Sequence, residues 1–193
     1  ALKDLDRYEF PIMVKPVDSA GSKGVSRVDD VIYLKEAVYE ALRLSPTSRF
    51  IIEEYIEQEG FSSDSDCFSV DGKLEFISFS DKMFEKEASN PFTPSAYMWP
   101  NSMVSSKQKA LEAELQRVFD LLELRTSIYN IETRIGTNGT PYIMEISPRG
   151  GGNRIAEILH RATGVNLIEC ALKGTVGDEV IIPNSHDYDG HWA

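Results

Sequence analysis

The chain has 193 residues, of which 41% are hydrophobic and 26% are charged, and its formal net charge is −11. Such a chain can bury a sizeable core as one large domain or as two small lobes. The negative charge argues against a general binder of nucleic acid or of anionic membranes, but it leaves room for a nucleotide held with Mg²⁺. Cys67 and Cys170 lack metal-site spacing and indicate reduced thiols in a cytoplasmic protein.

The beginning of the chain combines a short strand with a glycine-containing loop. Residues 10–16 form an apolar run with Lys15 near its end, and small residues with Gly21 and Gly24 follow. Such a loop lets backbone N–H groups approach a phosphate closely, and Lys15 would project toward the same charge. A plain hairpin loop explains these residues alone at least as well. Because a core strand follows Ala1 so closely, we expect the sequence to be a piece of a longer protein.

A packing helix and a second strand come next. Asp29 or Asp30 can cap a helix that ends before Pro46. Residues 49–57 are apolar at first and then acidic, which predicts a strand with several carboxylates at its end. A solvated strand end explains these acids about as well as a binding role does.

The following stretch predicts a hairpin and then an irregular segment. Residues 61–70 and 73–79 are expected to be strands joined at an Asp-Gly turn. Asp64 and Asp66 are candidate metal ligands, although their spacing alone favours strand positions that face solvent. Residues 80–104 have no regular pattern but contain aromatics, so we expect either an ordered loop on the substrate side or simple packing.

A second hairpin brings two glutamates together. A helix beginning at Ser105 or Ser106 precedes two apolar runs, residues 127–135 and 141–146, which flank an Asn-Gly dipeptide suited to a tight turn. Glu132 and Glu145 then lie near the centres of neighbouring strands, where unpaired carboxylates are costly. The two acids would repel each other unless a cation such as Mg²⁺ lies between them. An ordinary surface hairpin with solvated acids is the alternative.

The residues after this hairpin suit an anion. Arg149 follows a proline and precedes residues 150–152, a run of three glycines with bare backbone N–H groups at a predicted helix start. Two more helices are expected, one from Arg154 that ends at Gly164 and one after Asn166. The tail, residues 185–193, is expected to be frayed.

Two of these stretches resemble a known family. The hairpin ends in Glu-Ile-Ser-Pro-Arg-Gly-Gly-Gly, and the first strand and loop read Pro-Ile-Met-Val-Lys-Pro-Val-Asp-Ser-Ala-Gly-Ser-Lys-Gly-Val. Both are similar to the ATP-grasp superfamily, particularly to its carbamoyl-phosphate-synthase-like and biotin-carboxylase-like branches. Ser147 stands where the superfamily more often has Asn, and Gln58-Glu59-Gly60 departs from its usual Gly-x-Glu.

The resemblance implies an α+β fold with a mostly antiparallel sheet, helices packed on one face, and two small lobes with a nucleotide between them. It assigns residues 10–56 to a small lobe, residues 57–182 to a large lobe and residues 183–193 to a tail. It also implies that an N-terminal domain of the full protein is absent from this sequence.

The resemblance also implies roles for individual residues. Lys15 and the loop would hold the ATP phosphates, residues 53–56 would bind adenine through the backbone, and Glu59 would take the ribose. Mg²⁺, or Mn²⁺ in its place, would lie on Glu132 and Glu145, and Arg149 and Lys15 would be catalytic. The complete set of nucleotide-binding candidates is Lys15, Ser19, Ala20, Gly21, Ser22, Gly24, Glu53, Glu54, Tyr55, Ile56 and Glu59.

The implied activity is that of an ATP-dependent ligase joining a carboxylate to an amine or a thiol through an acyl phosphate. ATP and small carboxylate and amine substrates are the expected partners, with a homodimer as one candidate assembly and with no nucleic acid or membrane. Two alternatives stay open: a nucleotide-binding or regulatory module that no longer catalyses, and a purely structural α+β interaction domain.

Overall fold

The computed structural model describes residues 8–183 and 187–193. In chain order the elements are β1 (Ile12–Pro16), β2 (Ser26–Val28), α1 (Val31–Leu44), β3 (Phe50–Glu54), β4 (Ser63–Val70), β5 (Lys73–Ile77), β6 (Asp81–Phe84), β7 (Pro94–Met98), α2 (Ser105–Leu121), β8 (Ser127–Ile135), β9 (Pro141–Ser147), α3 (Ile155–Thr163) and α4 (Leu167–Val176). The strands of the two larger sheets pair in antiparallel fashion. The predicted α+β class is therefore confirmed.

The contacts divide the chain into two compact units. The first contains the described residues up to Glu57 together with Phe84–Pro94, and the second contains Gln58–Met83 and the described residues from Ser95 onward. The resemblance implies that residues 84–94 belong to the large lobe, whereas the structure groups them with the first unit.

The first unit is a three-stranded sheet in the order β2-β1-β3, with α1 packed against it. The Asp30 side chain caps α1 by accepting a hydrogen bond from the Ile32 N–H group, as one of the two predicted caps required. Ile12 and Val14 are almost completely buried in the core that β1 shares with α1. Because strand residues alternate between faces, Lys15 projects from the opposite face.

The second unit is built on a four-stranded sheet in the order β5-β4-β8-β9. Tyr129 and Ile131 of β8 are buried in a core shared with α2, whereas Ile128 packs into a separate core with α3 and α4. Successive strand residues point to opposite faces, so the two cores lie on opposite sides of the sheet. Helices therefore cover part of the second face as well as the single face that the sequence predicts.

The two hairpin turns of this sheet differ. Asp71 and Gly72 have φ angles of +50° and +85°, as expected for the tight turn between β4 and β5. Between β8 and β9 only Gly139 has a positive φ, +79°, while Asn138 stays outside the left-handed region. The predicted strands of both hairpins are present, so the turn residues identified the hairpins correctly.

The stretch that the sequence left irregular contains a two-stranded sheet of β6 and β7. The prediction of an irregular segment over residues 80–104 is therefore wrong in part. The strands are only four and five residues long, so their alternation is too brief to recognise in the sequence. Within the described part of the chain, no helix is long and apolar enough to cross a membrane.

The end of the chain is held by backbone hydrogen bonds. Trp192 and Trp99 form an antiparallel bridge with N–H···O distances of 2.8 and 2.9 Å. Trp99 is 1% exposed, so the bridge is formed next to a buried aromatic side chain. The prediction of a frayed tail is therefore wrong for residues 187–193, and residues 185–186 lie outside the described residues.

Candidate functional site

Three carboxylates form a row across one face of the second sheet. Glu132 on β8 is the direct register partner of Glu145 on β9 and of Asp64 on β4. Directly opposed residues of an antiparallel pair project from the same face with Cβ atoms about 4.5–5.5 Å apart. We call Asp64, Glu132 and Glu145 the acidic row. The register agrees with the expectation that the two glutamates lie side by side, and their metal-binding role stays a prediction.

A β-bulge keeps Glu145 in the acidic row. The register shifts just after Glu132, because Met144 is an additional residue on β9. Ile143 and Ile146 both pack against the core that the sheet shares with α2. The additional residue lets these two isoleucines reach that core while Glu145, which lies between them, pairs with Glu132 on the other face.

A buried lysine neutralises part of the acidic row. Lys82 of β6 is 4% exposed, and its Nζ atom lies 2.9 Å from Glu132 Oε2 and 3.7 Å from Asp64 Oδ2. The Tyr97 hydroxyl donates a hydrogen bond of 3.2 Å to Asp64 Oδ2. Lysine is rarely buried unless it is paired. Three carboxylates against one ammonium group still leave an excess of negative charge, which favours a cation.

A second polar row lies beside the first. Asp66 of β4 is the register partner of Asn130 on β8, which in turn faces Ser147 on β9. The Asn130 Nδ2 group donates to Asp66 Oδ1 at 3.2 Å and to Asp64 Oδ1 at 2.9 Å, so it joins the two rows. The Ser147 hydroxyl donates to Glu145 Oε1 at 2.7 Å. Ser147 therefore orients a carboxylate of the acidic row.

Asp66 is completely buried and the Asp64 side chain is only 17% exposed, so the prediction that the two residues face solvent is wrong. The physical reason is the glycine run after β9, because the Gly151 N–H group donates to Asp66 Oδ1 at 2.8 Å and covers this part of the sheet. Burial raises the pKa of Asp66 to about 6, the hydrogen bonds from Gly151 and Asn130 act against this rise, and the Asp64 charge adds to it.

Arg149 lies in the connection between β9 and α3. Its exposed guanidinium donates a hydrogen bond of 2.9 Å from Nη1 to the Gly150 carbonyl. The next glycine, Gly151, is pressed against the sheet, since a Cβ atom there would lie 2.8 Å from Asn130 Nδ2 and from Asp66 Oδ1. Arg149 is thus accessible to an anion, while the two residues that follow it, Gly150 and Gly151, lie against the sheet.

The first unit presents a lysine paired with a glutamate. Lys15 on β1 forms an ion pair with Glu53 on β3, and the two side chains are 27% and 35% exposed. The register places Met13 opposite Glu53 and Lys15 opposite Ile51, so both charged side chains project from the face away from α1. The sequence predicted the strand-end lysine but not this ion pair.

The predicted phosphate loop is open to solvent along much of its length. Ser19, Ala20 and Gly21 are exposed. Gly21 has φ +65°, and a Cβ atom there would meet nothing within 4 Å. Gly24 has φ +76° and a tight surrounding, because its Cβ would lie 2.9 Å from Pro16 Cγ. The loop therefore has a solvent-accessible tip at Gly21, where its backbone N–H groups can be approached by an anion, and a tightly packed end at Gly24.

The loop after β6 supports the phosphate loop within the first unit. The Ser22 hydroxyl donates to the Phe92 carbonyl at 3.0 Å, and Asn90 Nδ2 donates to the Ser22 carbonyl at 3.1 Å. Ser22 itself has φ +56°. These bonds hold the middle of the loop in a conformation that few non-glycine residues adopt.

The predicted adenine segment is only partly enclosed within the first unit. Glu54 is exposed, and Ile56 is half-buried. The Arg27 guanidinium lies 4.3 Å above the centre of the Tyr55 ring, which fixes that ring by a cation–π contact.

Glu59, the predicted ribose ligand, belongs to the second unit. Its Oε1 atom lies 2.6 Å from Lys107 Nζ, and its N–H group donates to the Ile135 carbonyl at 2.8 Å. It lines an open cavity of about 140 Å³ together with Phe61 and Met103. A ribose hydroxyl would therefore compete with Lys107 for this carboxylate.

The acidic row fits a Mg²⁺ ion that is bound together with a nucleotide. Within residues 8–183 and 187–193, no group of three His, Cys, Asp or Glu side chains is arranged to hold a metal ion. What the sheet does supply is the adjacent pair Glu132 and Glu145 and an excess of negative charge. Mg²⁺ usually takes one or two carboxylates and completes its six ligands with water and substrate phosphates.

Lys82 and Asn130 were not predicted to belong to this site, and Asp66 was predicted to face solvent. A weak pattern was present, because each of the three strands carries a pair of polar residues two positions apart: Asp64 and Asp66 on β4, Asn130 and Glu132 on β8, and Glu145 and Ser147 on β9. That alternation places each pair on one face of its strand. Nothing in the sequence showed that β4 pairs with β8, however, and this pairing is what assembles the rows.

Comparisons with known proteins agree with this architecture. Residues 8–157 match the family model described as the ATP-grasp domain. The carbamoyl phosphate synthase large chain of Thermoanaerobacter sp. (strain X514) is 24% identical over 183 residues, which are 90% of this chain and 16% of that protein. The corresponding protein of Methanocorpusculum labreanum is 26% identical over 180 residues, which are 91% of this chain and 16% of that protein. The chain thus spans about one sixth of the length of these relatives.

Solved structures share the same fold. The L-amino acid ligase from Bacillus licheniformis superposes with a TM-score of 0.73 at 26% identity, covering 90% of this chain and 41% of that one. The biotin carboxylase–β,γ-ATP complex from Campylobacter jejuni superposes with a TM-score of 0.77 at 16% identity, covering 98% of this chain and 42% of that one.

Proposed function

Because the chain belongs to the ATP-grasp family, we propose that it is the ATP-binding part of a ligase that joins a carboxylate to an amine or a thiol through an acyl phosphate. The observation that carries this proposal is the direct pairing of Glu132 and Glu145 beside the buried Lys82. The similarity to carbamoyl phosphate synthase and to the L-amino acid ligase supports a ligase rather than a nucleotide-binding module that no longer catalyses.

The proposed reaction has two steps. An oxygen of the substrate carboxylate attacks the γ-phosphorus of ATP, the bond to the bridging oxygen breaks, and ADP leaves. The nucleophile then attacks the carbonyl carbon of the acyl phosphate, and phosphate leaves with the former carboxylate oxygen. Phosphoryl transfer of this kind depends mainly on positioning and on neutralising charge, which are functions that fixed side chains can supply.

Glu132 and Glu145 would hold Mg²⁺, or Mn²⁺ in its place, against the ATP phosphates. The bound ion would neutralise phosphate charge. The role of Lys82 is to hold Glu132 in its rotamer, since its Nζ atom lies 2.9 Å from Glu132 Oε2. Ser147 orients Glu145 in the same way from the other side of the pair.

The first unit would bind the rest of the nucleotide. Lys15 would contact the phosphates once ATP competes with Glu53 for its ammonium group. The residues of the loop that would cover the phosphates are Ser19, Ala20, Gly21, Ser22 and Gly24. Backbone groups of residues 53–56 would bind the adenine edge, and Glu59 would take the ribose hydroxyls.

Arg149 is the proposed catalytic cation. Its guanidinium is exposed and donates a hydrogen bond of 2.9 Å to the neighbouring Gly150 carbonyl. A planar guanidinium can bond two oxygens of the transferring phosphoryl group at once, and it would stabilise the acyl phosphate in the same manner.

The experiment is a screen of phosphate release by the full-length protein that contains this chain, with ATP, Mg²⁺ and pairs of carboxylates and amines or thiols. We expect one pair to give ADP and phosphate above the background with ATP alone. The double variant Glu132→Gln/Glu145→Gln should abolish this release, whereas Glu75→Gln, an exposed glutamate on β5 of the same sheet, should not. ATP binding without release for every pair would favour a non-catalytic module instead.

A further inference from the structure

Asp66 is a costly residue that the proposed reaction does not use directly. It is completely buried in β4, and its Oδ2 atom has no hydrogen-bond partner among the described residues. A buried carboxylate oxygen without a partner loses its hydration and gains nothing in return. An apolar residue at this position would avoid the cost. The presence of an aspartate therefore needs an explanation, which the contacts of its other carboxylate oxygen provide.

The other oxygen, Oδ1, is bonded to the loop that carries Arg149. It accepts hydrogen bonds from the Gly151 N–H group at 2.8 Å and from Asn130 Nδ2 at 3.2 Å. A hydrogen bond to a charged acceptor is roughly twice as strong as one between neutral groups. Asn130 holds the Asp66 carboxylate from the sheet side, and Gly151 is the group that the carboxylate holds from the loop side.

Close packing makes this contact specific for glycine. A Cβ atom on Gly151 would lie 2.8 Å from Asp66 Oδ1, 2.8 Å from Asn130 Nδ2 and 2.9 Å from Ile155 Cδ1. The neighbouring Gly152 differs, because a Cβ atom there would meet nothing within 4 Å. Gly150 also faces the sheet, because a Cβ atom there would lie 3.3 Å from Ile128 Cδ1, but the tightest contact of the loop is made by Gly151, two positions after Arg149.

We propose that Asp66 is a positioning residue that fixes the loop carrying Arg149 on the sheet, so that the guanidinium is held where the phosphoryl group is transferred. This inference rests on the proposed function of Arg149. Misplacing a catalytic group by about 1 Å can cost on the order of 10²-fold in rate. Loss of the Asp66 carboxylate should therefore reduce turnover, while ATP affinity should change little because Asp66 is not among the residues proposed to bind the nucleotide.

The test compares Asp66→Ala with Asp66→Asn in the full-length protein. Asn keeps an oxygen acceptor for the Gly151 N–H group, whereas Ala removes it. We expect Asp66→Ala to lower kcat by roughly 10- to 100-fold with the MgATP dissociation constant changed by less than about threefold. Asp66→Asn should recover most of the lost kcat. Equal losses in both variants, or an unchanged kcat in Asp66→Ala, would overturn the proposal.

Hydrogen exchange measures the anchor directly and does not depend on turnover. The Gly151 amide should exchange slowly in the wild-type protein and in Asp66→Asn, and at least about tenfold faster in Asp66→Ala. Gly151→Ala should release the loop in the same way, while Gly152→Ala should leave the protection of the loop unchanged. The comparison of Gly151→Ala with Gly152→Ala tests the anchoring of the loop even if Asp66→Ala does not fold. Slow exchange of the loop amides in Gly151→Ala would contradict the anchor.

The two proposals fail in different ways. If the wild-type protein shows no turnover with any substrate pair but the exchange results are as expected, the proposed ligase function fails and the anchor is retained as a structural contact. If turnover is found but Asp66→Ala and Gly151→Ala both keep it, the positioning role of Asp66 fails and the ligase function stands.

Discussion

Glu132 and Glu145 are direct register partners in the β8–β9 pair, and the bulge at Met144 is what brings them onto one face. Two like charges in direct cross-strand positions are destabilising. Lys82 compensates only part of their charge, because it is shared with Asp64. The site is thus poised to gain stability from a cation, which is the physical basis of the predictions about metal and nucleotide.

Metal binding should require both glutamates and the nucleotide. We expect Mn²⁺ to bind weakly to the wild-type protein alone and more tightly when ATP is present, because two carboxylates fill only part of the coordination sphere. Glu132→Gln/Glu145→Gln should lower the affinity for Mn²⁺ with ATP by at least about tenfold. Electron paramagnetic resonance of free Mn²⁺ measures this, with Glu75→Gln as the matched control. An unchanged affinity for Mn²⁺ in the double variant would show that the metal does not bind at the acidic row.

Arg149 should matter for turnover more than for ATP binding. Arg149→Ala is expected to lower kcat by roughly 10²-fold or more, the scale for loss of one preorganised electrostatic contact. Steady-state kinetics and calorimetry with MgATP give the two quantities. Arg161→Ala, which removes another exposed arginine of the second unit, should change neither. Parallel losses of binding and turnover would make Arg149 a nucleotide clamp instead of a catalytic residue.

Lys15 should contribute to nucleotide affinity. A hydrogen bond to a charged group contributes about 1.5–3 kcal/mol, so Lys15→Met should weaken MgATP binding by about ten- to a hundredfold. Isothermal calorimetry with Mg²⁺ present measures this loss. Lys35→Met changes an exposed lysine of α1 in the same unit and should bind ATP normally. If Lys15→Met also binds normally, the phosphates lie elsewhere.

Lys82 should stabilise the fold through the acidic row. Lys82→Met leaves Glu132 and Asp64 without their buried ammonium partner, which should destabilise the protein by about 3–5 kcal/mol. Adding Glu132→Gln should restore part of this loss, since the uncompensated charge is then smaller. Urea unfolding of the single and double variants gives the free energies for a double-mutant cycle. Lys73→Met, which changes an exposed lysine, is the control. Strictly additive losses would show that the two residues are not coupled.

Asp66 should make the stability of the protein fall as the pH rises from about 4 to 6. Its folded-state pKa is about 6 against an ordinary value of 3.8, so in this range the unfolded chain loses the proton first. The raised pKa corresponds to a loss of about 3 kcal/mol of stability across this range. The unfolding free energy of the wild type should therefore decrease relative to that of Asp66→Asn between pH 4 and 6.5. A constant difference across this range would mean that the Asp66 pKa is not raised.

Local patterns were sufficient to predict the longer elements. Hydrophobic periodicity predicted both long hairpins and α1, and Asp30 was recognised as a cap because its side chain acts on the next turn of the same helix. The placement of Glu132 and Glu145 on neighbouring strands could be predicted as well, since a short hairpin pairs its two strands. The bulge at Met144, which makes the two glutamates direct partners, could not be predicted.

Contacts between distant segments could not be predicted. Asp64 and Asp66 look like solvent-facing residues in the sequence. The pairing of β4 with β8 places both beside other strands, and the return of Gly151 onto the sheet covers Asp66. Lys82 gave no pattern either, because β6 is too short for its alternation to be recognised. The predicted frayed tail failed for the same reason, since its partner Trp99 lies far away in the chain.

The most direct test of the proposed reaction is the path of one oxygen atom. Once a substrate carboxylate is identified, it is labelled with ¹⁸O and turned over by the full-length protein with unlabelled ATP and nucleophile. Transfer of the γ-phosphoryl group to the carboxylate predicts that each released phosphate contains one oxygen from the labelled carboxyl group, as mass spectrometry of the phosphate would reveal. Phosphate without the label would contradict an acyl phosphate intermediate.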